Sequence, residues 1–272
     1  MNAAQQAILE RWDKFLGSIE QRNASIIEEA RQGVAAMSEG GSPDTAAIDR
    51  ALHAIGMRLQ TLRGKIMDTW SAQVMDKFTA LDIPGFEDVG LDRAESLGLL
   101  LEERWEDFRT RTVADVYRSM HPAAAAALAL PAQCATCKAP IEPESRIRTV
   151  SATCGSCNAV NQVVPHADIR AYQPAAHAYA EEASMPIRIA IQRHRQAADR
   201  RSRHAGYAPE PIASLEEWAA LELQYWQKYA EVQAAQGDHG PNHVAELVKS
   251  RMDAFEEYSV KTDQRWRRAR GL

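Results

Sequence analysis

Outside one short stretch the sequence has no cysteine: all four lie between Cys134 and Cys157. A chain of 272 residues can bury a core without covalent staples. Thiols gathered in one place therefore serve something other than bulk stability. Aromatic residues are scarce, at 7%, and neither sign of charge dominates, with a net charge of -5. The chain as a whole has no electrostatic reason to seek nucleic acid or an anionic membrane, so any such role must be local. The longest apolar run, Ala123 to Pro131, falls well short of the roughly 20 residues that cross a bilayer. The opening MNAAQQAILERWDKF lacks a basic stretch ahead of an apolar one, so no secretory signal is expected. A cytoplasmic, reducing setting is the expectation, and there paired cysteines are metal or redox motifs rather than scaffold disulfides. Several catalytic signatures are missing as well. There is no P-loop, no dinucleotide glycine fingerprint, no His-Glu-x-x-His and no Glu-x-x-His pair for a di-metal bundle site.

What the sequence does contain is helical periodicity. Apolar content of 45% and charged content of 25% are those of an ordinary globular protein. From Ile8 the apolar positions run Ile8, Trp12, Phe15, Ile19, Ile26 and Ala30, the spacing of one helix face. After the breaker SEGGSPD, Ser42 is placed as N-cap and Pro43 at the first helical position. The seam Ile48, Leu52, Ile55, Leu59, Leu62, Ile66 follows, and the short connection predicts an antiparallel hairpin. A third helix is expected to open on the box Asp92-x-x-Glu95 and to turn Leu97, Leu101, Trp105, Phe108, Val116 and Met120 inward. Residues Ala167 to Arg203 read as helix with breaks or kinks at Pro174 and Pro186. The box Ser214-x-x-Glu217 opens a helix carrying Trp218, Leu221, Tyr225, Tyr229 and Val232, and a last helix uses Val244, Val248, Met252 and Phe255. The phrases ERWDKF from Glu10 and ERWEDF from Glu103 repeat a Trp and Phe three residues apart, which reads as a reused core anchor. The expected fold is mainly all-α, a multi-helix bundle-like architecture with one small β insert. Its divisions are 1–130, 131–165 and 166–272, the outer two able to pack as one domain.

The insert is where the thiols are. Cys134-x-x-Cys137, sixteen residues, then Cys154-x-x-Cys157 is the spacing of a four-cysteine zinc site: each CxxC turn presents two thiolates, and two turns complete a tetrahedron. Between the pairs, Arg146 to Thr153 is rich in β-branched residues, and Ala159 to Val164 offers an antiparallel partner. Over residues 134–164 the sequence resembles the zinc-ribbon modules, in which two cysteine knuckles top a small antiparallel sheet. Such knuckles commonly carry glycine after the second cysteine, where this chain has Lys138 and Asn158. Two other readings of the thiols are buried apolar cysteines and a two-disulfide redox device. With zinc, four thiolates leave no open coordination position, so one structural ion per chain is expected.

His194 shares a face with Ile187, Ile191 and Ala198 and reads as a core-edge histidine rather than a ligand. The tract from Arg188 to His204 carries six arginines against one aspartate, and the tail adds Lys261, Arg265, Arg267, Arg268 and Arg270. These can grip phosphates, or they can pair with acidic helix faces such as Glu102, Glu103, Glu106 and Asp107. The insert offers no aromatic stacking platform. The function expected is therefore a non-enzymatic helical adaptor or assembly component that binds other proteins or itself. The alternative is a nucleic-acid-associated regulator using the basic helix 188–204 and the basic tail, and no membrane role is expected.

Overall fold

Every strand among the described residues lies in the cysteine insert, and the remaining regular structure is helical. The computed structural model describes the backbone of residues 3–39, 43–80, 86–204, 212–236 and 240–269, and side chains over 3–39, 43–80, 88–200, 215–236 and 240–259. In chain order the helices are α1 (Ala3–Ser38), α2 (Thr45–Thr69), a π-helical turn (Trp70–Val74), α3 (Met75–Thr79) and α4 (Phe86–Ala129). Strands β1 (Ala132–Gln133), β2 (Pro140–Ile141), β3 (Val150–Thr153) and β4 (Val160–Val163) follow. The chain then continues through α5 (Ala167–Tyr172), α6 (Ala175–His204), α7 (Ile212–Gln236) and α8 (His243–Ala269).

The apolar seams fold as read. In α2, Ile48, Leu52, Leu59 and Ile66 are buried, while Ile55 and Leu62 are half-buried against the same core. The second half of α1 (Ile26 to Val34) packs with the first half of α2, and the first half of α1 (Leu9 to Ile19) packs with Ile66. That pairing is antiparallel. Two seam positions are shifted: Leu9 and Leu16, rather than their neighbours Ile8 and Phe15, are buried in α1, with Ile8 and Phe15 half-buried against the same cluster. Helix α4 closes the three-helix unit with Leu101, Trp105, Phe108, Val116 and Met120 buried. Ala175 and Ala178 of α6 join the same core cluster, so the helices on either side of the insert share apolar packing. Helix α7 packs on α6 through Tyr225 and Tyr229, and α8 packs on α7, with Leu247 at the edge of their cluster.

Ile66, Trp70, Val74 and Phe78 recur every fourth residue, a spacing that drifts by about 40° per step around a straight α-helix. The wider π turn at Trp70–Val74 takes up part of that drift. Trp70 and Phe78, both buried, thereby meet Trp12 in an aromatic knot, with ring centroids 5.6 Å (Trp12 to Trp70) and 5.2 Å (Trp70 to Phe78) apart. The Trp12 indole donates to the Gly90 carbonyl at 2.9 Å. The recurring Trp and Phe phrases anchor separate clusters: Trp12 and Phe15 stack in the first, and Trp105 and Phe108 lie 5.8 Å apart in the second.

Three helix starts differ from expectation. The N-cap of α2 is Asp44, whose carboxylate accepts from the Ala47 N–H at 2.9 Å; the backbone of Ser42 lies outside the described residues. An aspartate one residue past Pro43 satisfies the orphan donor directly. Helix α4 is already under way at Phe86, so Asp92 and Glu95 sit inside it and serve another purpose, given below. Helix α7 begins at Ile212, ahead of Ser214, whose side chain lies outside the described ones. The prolines also divide. Pro174 separates α5 from α6, whereas Pro122 and Pro186 lie within helices. After Pro122 the run of alanines, the strongest helix formers, carries α4 on to Ala129.

Candidate metal centre

The insert is built from two copies of one turn. Residues 132–141 read AQCATCKAPI and residues 152–161 read ATCGSCNAVN, with Ala, Cys, Cys and Ala shared at a constant offset of 20. In each copy the first cysteine's N–H donates to the alanine carbonyl five residues on: Cys134 to Ala139 at 2.8 Å, and Cys154 to Ala159 at 2.9 Å. In each, the residue after the second cysteine donates back to the first cysteine's carbonyl: Lys138 at 3.0 Å and Asn158 at 2.9 Å. Closing that loop forces a left-handed backbone, and φ is 60° at Lys138 and 54° at Asn158. These are the two positions where zinc ribbons commonly place glycine. Lysine adopts the glycine conformation here at a steric cost of about 1 to 2 kcal/mol, from its Cβ against the following carbonyl.

Each turn is closed at its base by its own short antiparallel ladder. β1 pairs with β2 and β3 with β4, the latter in the register Val150 to Val163 through Thr153 to Val160. The pairing read from the sequence over 146–153 and 159–164 is present in its central part. Asn161 locks the turns together: its Oδ1 accepts from the Ala135 N–H at 2.8 Å, and its Nδ2 donates to the Ala159 carbonyl at 2.8 Å. Asn161 is buried and stands where the other copy has buried Ile141. Sequence reasoning passed over it, though the offset of 20 marks it as the one polar residue at a repeated core position.

All four sulfurs come together. Cys134, Cys137, Cys154 and Cys157 place their Sγ atoms within 4.8 Å of one another, and the cross-turn pairs Cys134 to Cys157 and Cys137 to Cys154 are each 3.6 Å apart. Those separations far exceed the ~2.05 Å of a disulfide, and all four thiols are free. They match the edge of a thiolate tetrahedron, about 3.8 Å for sulfurs about 2.3 Å from a central ion. The donor set therefore fits a tetrahedral metal ion. Cys134 and Cys154 are fully buried, and Cys137 and Cys157 form the exposed side.

Electrostatics separate the four thiols. The Cys137 N–H bonded to Cys134 lowers that thiol to about 6, with help from Thr136, Cys157 and Asn161 against the opposing effect of burial. Cys154 is lowered by the N–H groups of Ser156 and Cys157. Cys157 takes a favourable bond from the Ala159 N–H, but the Cys137 thiol, burial and the thiols of Cys134 and Cys154 together push it up to about 12. The first thiolate forms readily and its neighbours resist the last. A cation at the centre removes that repulsion.

The insert has its own small apolar cluster, Cys134, Ile141 and Cys154 with Ala139, Ala152 and Ala159, and no helix residue belongs to it. Its anchors are at its base. Arg146 donates to the Leu130 carbonyl, and Gln173 donates to the Ile147 carbonyl. Between Arg148 and Asp168 the chain carries no Asp, Glu, Lys or Arg, and Val160 and Val164 on that hairpin are 74% and 53% exposed.

The basic tract lies elsewhere, along α6, and Arg188, Arg193 and Arg200 turn toward acidic α4. Arg193 grips buried Glu103 with two bonds of 2.7 Å, and Arg188 reaches Glu106 at 3.7 Å. Arg200 donates to the Asp92 carbonyl and to Ser96, with the Asp92 and Glu95 carboxylates 3.6 Å away. Asp92 and Glu95 are thus partners of α6 rather than a helix cap. Arg195 lies over the Trp218 ring at 5.1 Å. Glu102 and Asp107 pair instead with Arg63 and Arg111. The side chains of Arg201, Arg203 and the tail from Lys261 lie outside the described ones. His194 is largely buried beside Glu217, 3.6 Å away, at the edge of the α6–α7 packing. No described helix is long and apolar enough to cross a membrane. No protein-family model, curated protein or solved structure matches the chain.

Proposed function

We propose that the chain is a helical adaptor or assembly component whose insert holds one structural zinc ion and presents a rigid surface to a protein partner. The observation that carries this reading is the insert's construction: a sulfur-centred core of its own, joined to the helices at its base, with an uncharged hairpin exposing Val160 and Val164. Natural proteins usually protect exposed strand edges with charge. A segment without such protection, held still by metal rather than by the bundle, suits a recognition element. Zinc is the metal proposed because four thiolates in a tetrahedron suit it, with iron the other ion that takes this donor set. When bound, the ion would supply structure rather than catalysis, since four cysteines leave it no open position.

The nucleic-acid reading draws no support from Arg188, Arg193 and Arg200, which pair with α4. It rests on the tail and on Arg201 and Arg203. One experiment separates the two readings: capture of partners from source-cell lysate by the tagged, metal-loaded chain, with and without nuclease. The proposal expects a protein that survives nuclease and is lost with Val160→Lys/Val164→Lys. Recovery of nucleic acid alone, released steeply between about 50 and 200 mM salt, would overturn it.

A further inference from the structure

Each hairpin of the insert is two-stranded, so β4 has β3 on one side only and an open edge on the other. The register fixes which backbone groups lie on that edge. Cys154 donates to the Ala159 carbonyl, and the ladder continues with Ala152 opposite Asn161 and Val150 opposite Val163. Bonded and unbonded pairs alternate along an antiparallel ladder, so Asn161 and Val163 spend their N–H and C=O groups on β3. Those of Val160, Gln162 and Val164 point away from it. The side chains of these three share the outer face of the strand, and all three are exposed, whereas Asn161 is buried.

The other copy of the turn shows what a guarded edge looks like. At the offset of 20, Pro140, Glu142 and Glu144 stand where this copy has Val160, Gln162 and Val164. Proline has no N–H to offer a further strand, and the two glutamates set charge beside it, the usual protection of an exposed edge. The β4 edge has neither. Its pattern also reads the same in both directions, because Val160 and Val164 lie two residues either side of Gln162. A second copy of the strand, turned antiparallel about Gln162, sets each Val160 beside the partner's Val164. The outward-pointing residues then meet as hydrogen-bonded pairs, with two backbone bonds in each. The one residue that faces its own image on the axis is Gln162, whose amide is both donor and acceptor. No charge opposes the pairing, since Asp, Glu, Lys and Arg are all absent between Arg148 and Asp168.

We propose that the hairpin's partner is a second copy of this chain, joined β4 to β4 about a two-fold axis at Gln162, a step that rests on the hairpin's being a recognition surface. A foreign strand would gain the same backbone bonds, but it would have no use for valines placed symmetrically about a self-complementary amide.

The test is sedimentation equilibrium of the metal-loaded full chain. The parent should dimerise with a Kd of about 100 μM or tighter. Gln162→Glu and Gln162→Lys each set like charges together on the axis, so each should weaken the dimer at least about tenfold, and an equimolar mixture of the two should restore association as a heterodimer. Both variants should keep the parent's metal content and helical circular dichroism, since Gln162 is exposed. A parent that stays monomeric at about 500 μM, a dimer that both variants leave intact, or a mixture that associates no better than its components would overturn the proposal. If such a parent still captures a lysate protein that Val160→Lys/Val164→Lys loses, the self-pairing is refuted and the adaptor reading stands; if it captures none, both fail.

Discussion

Replacing Gly90 by alanine should destabilise the protein, although the same change at other helical glycines should stabilise it. Gly90 lies within α4, where alanine is preferred by about 1 kcal/mol for backbone reasons alone. A Cβ there would sit 2.5 and 2.7 Å from two Trp70 ring carbons and 2.9 Å from Phe78. Trp70 is 3% exposed and Phe78 wholly buried, and Trp12 packs at a tilt against Trp70 while bonding the Gly90 carbonyl, so neither ring has room to retreat. Overpacking of this kind costs roughly 1 to 3 kcal/mol and occasionally more. Contacts this short place Gly90→Ala at the upper end, for a net loss of about 2 kcal/mol after the propensity gain. Gly33 and Gly64 provide the internal control, because a Cβ at either meets nothing within 4 Å. Alanine there should add about 0.5 to 1 kcal/mol. Urea unfolding of the three variants with metal present, followed by far-ultraviolet circular dichroism, measures the contrast. If Gly90→Ala were as stable as the parent, or moved with Gly33→Ala and Gly64→Ala, the account of the aromatic knot would fail.

Further outcomes are expected for the metal centre and for the helix packing. Purified without chelator, the protein should carry one zinc ion per chain by elemental analysis, and serine at Cys154 and Cys157 should speed amide exchange across 131–165 while most helical circular dichroism persists. Widespread loss of helicity would show that the insert is part of the bundle core. Lys138→Gly should strengthen metal retention against a competing chelator, because it relieves the left-handed strain at φ 60°. Arg193→Ala should lower the urea midpoint more than Arg111→Ala, since Arg193 is the two-bond partner of buried Glu103, whereas Arg111 and Asp107 pair at the surface. Burial, with Glu181 nearby, raises the Tyr229 hydroxyl from 10.0 to about 12, so its contribution to stability is complete below pH 10 and is lost as pH rises toward about 12. Tyr229→Phe should flatten that alkaline decline in pH-dependent unfolding.

How much of this was legible beforehand depends on the range of the interaction. The sequence by itself determined the helices, because a buried face every three or four residues is a local pattern: Ile48, Leu52, Leu59 and Ile66 were readable as one seam. It also determined the cysteine centre, since two CxxC turns and a β-branched return contain nearly all of the site's geometry within one short segment. Helix starts were less legible. A capping box resembles any Asp and Glu three residues apart, and only packing shows that Asp92 and Glu95 receive Arg200 from α6. Pro122 could not be judged locally either, because a helix tolerates proline when the residues beyond it favour helix and pack. What only the tertiary structure decided joins distant parts of the chain. It pairs Arg193 with Glu103, sets Asn161 across to Ala135, and brings Gly90 against Trp70 and Gly56 against Trp105. Each depends on where one element's side chains end relative to another's backbone, a distance that no periodicity along a single segment encodes.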